Sequence, residues 1–335
     1  MLAQINSKVN NKTINYGIQL LRMILCFWIL SFHCLEKNEI NYFLFYMTKT
    51  KFYHVPCFTF ISFYFSCNIF FDRNIIKFKR RLERLLIPYI IWPLIIFIIN
   101  NIFYKRNSIS WHQLKIQIII GRQFMVPLWY LFSMIFITIT FFILSNLFQN
   151  HFIVFIKLLM IFSYIFQYSS SYRFFEEYKR NVKLPILDTI SILPLSIIGI
   201  LFASSKLIEF FQRNRKNSLF FSFILLFLLF KYNIFVELEG YNGIINIFSS
   251  LFFFVGFYLL PIENIYSLIQ KIIKQITSYT NGIYCMQSKT ISFIRANFGL
   301  KGNFKSCIII YLFSYLVSFV GMKICSKNKF KYLFI

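Results

Sequence analysis

The sequence predicts an all-α integral membrane protein, a bundle of about ten transmembrane helices forming one domain over residues 1–335. Three observations predict it. The chain is 58% hydrophobic, 14% charged and has a mean hydropathy of +0.63, whereas a soluble domain is about a quarter charged. The apolar residues gather in runs of about 20, the length that crosses a hydrocarbon core as a helix. These runs are continuous, whereas a membrane barrel shows short segments of alternating polarity.

The runs fall, in order, at 16–35, 54–71, 85–104, 126–147, 152–168, 185–203, 218–236, 244–262, 277–295 and 306–324. The first follows the polar MLAQINSKVNNKTIN. It is too long for the apolar core of a cleaved leader, so it is expected to stay in the membrane and double as the insertion signal. The second ends at the basic RNIIKFKRRLER (73–84), which leads into the third. The longest polar stretch, about 169–184, separates the fifth from the sixth. No internal repeat and no appended soluble domain is visible.

Charge sets the expected orientation. The chain carries 36 basic and 11 acidic residues, a net +25. In a soluble protein that balance suggests nucleic acid, but here the cations lie in short runs between apolar blocks, where the positive-inside rule places them. Nucleic acid is therefore not an expected partner; membrane lipid is. With the N-terminus cytoplasmic, the basic segments 73–84, 206–217, 263–275 and 322–335 all lie inside, with Glu83, Glu209 and Glu263 as their acids. Glu36, Glu39, Glu176, Glu177, Glu237 and Glu239 then lie on the opposite side, together with the cations of 105–106 and 178–183. Both termini are expected inside. Seven cysteines form no CxxC pair and sit mostly in apolar blocks, so they read as small buried hydrophobes, with no metal site or disulfide framework expected.

Two ionisable residues stand inside the first run, LLRMILCFWILSFHC (20–34): Arg22 and His33. Eleven positions make three helical turns plus about 20°, so both side chains share one face, about 16 Å apart along the axis. A charged group within a span usually faces the bundle interior or a water-filled cavity. An Arg near a helix end can also snorkel to the headgroups, and a His near the far end can sit in the interface. Elsewhere, Trp92 and Trp129 fit either aromatic-belt packing or a stacking surface. Ser62, Asn68 and Gln287 fit hydrogen bonding between helices. His54 and His112 lie near expected outer loops and read as solvated, and Asp188 is the one acid well inside an apolar block.

This R-x10-H spacing resembles the signature of the acyltransferase-3 family of multi-pass membrane acyltransferases, and further pieces follow in that family's order. FTFISFYF (58–65) is similar to its "FFxxSGyl" span, and FKRRLERLLIPYIIW (78–92) to its "R-x-x-R-x-x-iPy-x-w" block through Arg81, Arg84, Pro88 and Trp92. VPLWYLFSMIF (126–136) resembles its "LWfl" span, and TNGIYCMQ (280–287) its late "giYliH" span. The chain departs from the pattern at Gln19, usually acidic, at Phe63, usually Gly, and at Gln287, usually His.

The resemblance implies transfer of an acyl group, typically acetyl, from acyl-coenzyme A to a hydroxyl of a glycan or related acceptor. His33 is then the base or a transient acyl carrier, since an imidazole titrates near working pH. Arg22 shares that catalytic face. Arg81 and Arg84 are expected to bind the coenzyme's phosphates through guanidinium hydrogen bonds, with positive-inside anchoring as their bland alternative. Trp129 and Gln287 are weaker substrate contacts. A multi-pass transporter or channel is the alternative from another class, although the pseudo-symmetric halves and Gly- or Pro-broken helices common in transporters are missing. A catalytically inactive relative is a third, motivated by Gln287.

Overall fold

The computed structural model describes residues 15–34, 54–103, 109–120, 128–168, 185–236, 244–262, 265–298, 304–325 and 329–333. These residues form α-helices and two short 3-10 turns, with no strand among them. The helices are α1 (Tyr16–Cys34), α2 (His54–Tyr64), α3 (Cys67–Phe71), α4 (Ile75–Phe103), α5 (Trp111–Ile120), α6 (Leu128–Phe148) and α7 (Phe152–Tyr168). They continue as α8 (Pro185–Ser204), α9 (Leu207–Arg213), α10 (Arg215–Val236), α11 (Ile244–Tyr258), α12 (Ser267–Thr277), α13 (Thr280–Phe298) and α14 (Phe304–Cys325).

Each of the ten expected runs carries helix, but fewer qualify as spans. Four helical stretches are long and apolar enough to cross a membrane: Tyr16–Cys34, Ile75–Ile102, Leu128–Phe166 and Lys305–Cys325. A fifth counts if α8 and α9, bent by 63° at their junction, are taken together. Length accounts for part of the difference. The 15 residues of α11 reach about 22 Å at 1.5 Å per residue, short of a hydrocarbon core of about 30 Å. Polarity accounts for another part: α13 is 19 residues long but contains Asn281, Gln287, Lys289 and Arg295.

Three boundaries differ from the sequence expectation for local reasons. The second run breaks at Phe65–Ser66, where Ser66 N bonds Phe63 O and the Ser66 hydroxyl takes Ser62 O instead, at 2.7 Å. The third helix starts ten residues before its expected apolar run, because the basic segment is itself helical. Asn74 caps it by accepting the Lys77 N–H at 2.9 Å. An unexpected helix, α5, opens on a reciprocal capping box, with Gln113 N on Ser110 Oγ and Ser110 N on Gln113 Oε1.

The helix α2 sits centrally, packed on α1, α8 and α11. Gly199 of α8 permits the closest approach, since a Cβ there would lie 2.7 Å from the Phe60 carbonyl oxygen. Aromatic rings fill this core, with Phe60, Tyr64, Phe202 and Phe254 in mutual contact. Outward faces carry large apolar side chains such as Ile102, Phe162 and Phe220, as lipid contact requires. These faces and the apolar helices make this an integral membrane protein. None of the seven cysteines is in a disulfide, and five of them are buried. The acidic residues expected outside, and the cations of 105–106 and 178–183, lie outside the described residues.

Candidate functional site in the bundle

The stripe that sequence geometry assigns to α1 lines a pocket. Between Arg22 and His33 on that face come Cys26 and Ile29, four and seven positions on, and both wall a partly open pocket. Val55 and Phe58 of α2, Tyr130 and Leu131 of α6, and Thr280, Asn281, Tyr284 and Cys285 of α13 complete it. Four helices distant in sequence thus meet at one cavity. Besides α1, the three other lining helices bring residues in or beside motif stretches read above: 58–65, 126–136 and 280–287.

Arg22, one turn before Cys26, is half-buried, and its Nη2 donates to Oγ1 of the wall residue Thr280 at 3.0 Å. Among the described residues this matches one of five guanidinium N–H donors, leaving cationic donors beside a largely apolar cavity. Tyr130, on the facing wall, lies near Arg22, Arg81 and Thr59. Its ring packs edge-on to Tyr284 at 5.8 Å.

Two imidazoles lie beyond the wall residues Ile29 and Val55 in sequence, at the end of α1 and the start of α2. His33 is exposed at the last turn of α1, its ring 5.3 Å from that of Phe32. The same Phe32 ring lies 6.2 Å from His54. His54 corrects the sequence reading: expected solvated, it is 4% exposed, because it opens α2 inside the bundle. His112, by contrast, is exposed at the start of α5.

Arg81 joins three helices. Its Nε donates to Thr138 Oγ1 of α6 at 3.1 Å, its Nη2 to Ser62 Oγ of α2 at 3.0 Å, and its Nη1 to Ser62 O at 3.5 Å and to the Ser66 hydroxyl. The guanidinium also lies 5.0 Å above the Phe63 ring. Four donors are therefore engaged with protein, and they fill the carbonyl freed where α2 ends. Arg84, one turn on, is exposed and lies 5.8 Å from the Tyr332 ring.

Two of the weaker sequence candidates stand apart from this pocket. Trp129 is 7% exposed in the apolar cluster with Val55, Phe63 and Ile192; its neighbour Tyr130 faces the cavity instead. Gln287 is 1% exposed, and its Nε2 has no hydrogen-bond partner among the described residues. Trp92 is buried and donates Nε1–H to Leu333 O at 3.2 Å, tying the C-terminal turn to α4. Asp188 is buried in the first turn of α8, where a helix dipole favours an acid. Tyr130, Thr280, Asn281 and Tyr284 escaped sequence reasoning, although each is a polar group inside an apolar run. No metal-binding group of three or more His, Cys, Asp or Glu occurs among the described residues.

Residues 15–326 match the acyltransferase domain family, acyltransferase-3, which covers nearly the whole chain. No curated protein and no solved structure matches it. With a pocket on the α1 face between Arg22 and His33, and with this match along its length, the chain belongs to the acyltransferase-3 family.

Proposed function

We propose that the protein transfers an acyl group, in the first instance acetyl, from acyl-coenzyme A to a hydroxyl of a carbohydrate-type acceptor, in the pocket between α1, α2, α6 and α13. The observation that carries this reading is the pocket itself: the face between Arg22 and His33 is a cavity wall, not a lipid-facing stripe. In the same reading the ten helical segments form one bundle of about ten crossings, with both termini cytoplasmic and the Arg22 end inward.

The roles follow from position. His33 takes the proton of the acceptor hydroxyl as general base, an imidazole being suited to this near neutral pH; a transient acyl imidazole is its alternative role. Arg22 turns unmatched N–H donors to the coenzyme's phosphates. Arg80 and Arg84, both exposed, suit the coenzyme's phosphates, for which guanidinium forks are well shaped. Arg81 adds its one remaining N–H and its charge while holding α2, α4 and α6 in register. Tyr130 orients the acceptor or the acyl carbonyl from the facing wall.

Mass spectrometry of surface glycans with and without the intact gene tests the reading. Loss of O-acyl mass increments on deletion, restored by the wild-type gene, is expected. Unchanged glycan O-acylation, together with solute uptake by proteoliposomes and no thiol release from acyl-coenzyme A, would overturn it in favour of a transporter.

A further inference from the structure

One buried group beside the pocket has no part in the roles above. His54 is the first residue of α2 and 4% exposed. Its Nδ1 accepts the Val55 N–H at 2.8 Å, satisfying one of the orphan donors of a helix N-terminus. A neutral imidazole that accepts at Nδ1 carries its proton at Nε2. That Nε2 is buried and has no hydrogen-bond partner among the described residues. A buried donor left unmatched is costly, so a group that supplies the missing acceptor is favoured there. The position is informative: Val55, the next residue, lines the pocket, and Phe32 packs on both His54 and His33. Two imidazoles thus flank one ring, beside the part of α2 whose Val55 walls the pocket.

We propose that His54 is a second catalytic residue of this site, its Nε2–H donating a hydrogen bond to the acyl carbonyl oxygen as negative charge develops on it. This rests on the acyl-transfer reading above. In the step, His33 takes the proton of the acceptor hydroxyl as its oxygen forms a bond to the carbonyl carbon. The carbonyl electron pair moves to oxygen, where His54 holds it by a hydrogen bond and transfers no proton. Collapse returns that pair, breaks the carbon–sulfur bond, and the departing thiolate takes the proton from His33. Because Nδ1 stays bound to the Val55 N–H, the donor is fixed before reaction, the condition under which such a donor lowers a barrier most.

The two nitrogens can be separated by substitution. Asn places an amide near Nδ1 and can keep the helix cap, whereas Gln places an amide N–H near Nε2. The assay uses membranes of cells lacking the native gene and expressing each variant, with labelled acetyl-coenzyme A as donor and endogenous glycans as acceptor. Thermal unfolding of each purified variant runs alongside. The expected result is that His54→Asn unfolds like wild type yet loses about 100-fold in rate at saturating donor, the size seen when one oxyanion donor is removed. Its KM for the donor stays within about twofold, since the lost contact strengthens only as the reaction proceeds. His54→Gln recovers at least about tenfold over His54→Asn. If His54→Asn transfers label at the wild-type rate, or His54→Gln recovers nothing over a folded His54→Asn, His54 is a cap only and the inference is overturned. A wild type that incorporates no more label than His33→Ala overturns the acyl-transfer reading, and this inference with it.

Discussion

Replacing Arg81 by Ala removes four hydrogen bonds that hold α2, α4 and α6 together. Hydrogen bonds between membrane helices average about 0.6 kcal/mol each, so four come to roughly 2 kcal/mol. The larger values of about 1.5–3 kcal/mol per charged hydrogen bond do not apply. The orphaned hydroxyls can fall back on their own helix carbonyls, as Ser66 Oγ already does on Ser62 O. Losing the cation–π contact with Phe63 adds about 0.5–1 kcal/mol. The expected destabilisation is therefore about 2–3 kcal/mol, a shift of roughly 30- to 150-fold in the unfolding equilibrium at 1.4 kcal/mol per decade. Equilibrium unfolding in mixed micelles measures it. A double-mutant cycle with Thr138→Val should return about 0.6 kcal/mol of coupling. Should Arg81→Ala cost less than the roughly 0.6 kcal/mol of one such bond while activity disappears, the clamp is illusory and Arg81 serves the substrate alone.

Other substitutions separate ligand contacts from packing. Arg84→Ala, at an exposed side chain, should raise the KM for acyl-coenzyme A about tenfold, the loss of one exposed charge-assisted contact worth about 1.4 kcal/mol, and leave the unfolding midpoint in place; titrating the donor against thiol release checks this. Gln287→Met should stabilise the protein by about 1 kcal/mol in the same unfolding experiment, because it removes a buried amide N–H without a partner, and should leave turnover unchanged. Tyr130→Phe keeps the ring packing on Tyr284 but removes the hydroxyl, so turnover should fall about tenfold with little change in stability, read from initial rates at saturating donor.

Hydrocarbon is a strict solvent, and what it dictates was legible in the sequence. All ten apolar runs carry helix, and the face shared by Arg22 and His33 follows from helical periodicity alone. Which helices meet that face was not legible, since Thr280 reaches Arg22 across 258 positions and periodicity within one helix says nothing about its neighbours. The motif at 126–136 drew attention to Trp129, yet a one-residue step is about 100° of helix rotation, and Tyr130 is the residue turned to the cavity. The break at Ser66 was hidden because its cause lies elsewhere: the Arg81 guanidinium and a serine hydroxyl occupy the carbonyl that the helix leaves free. His54 misled for a related reason. Its sequence position beside a polar stretch suggested solvent, while tertiary packing places it under Phe32. The number of crossings was read from apolar runs alone, and short or polar helices such as α11 and α13 show where hydropathy stops counting spans.

The central claim is that the cavity on the α1 face between Arg22 and His33 is where acyl transfer occurs. Its most direct measurement is acceptor-dependent thiol release from acetyl-coenzyme A by purified protein in proteoliposomes, comparing wild type with His33→Ala at matched amounts of folded protein. The account predicts that His33→Ala falls to the background rate while its unfolding midpoint stays at that of the wild type, since His33 is exposed and bears no core packing. Full activity in a folded His33→Ala protein would contradict it.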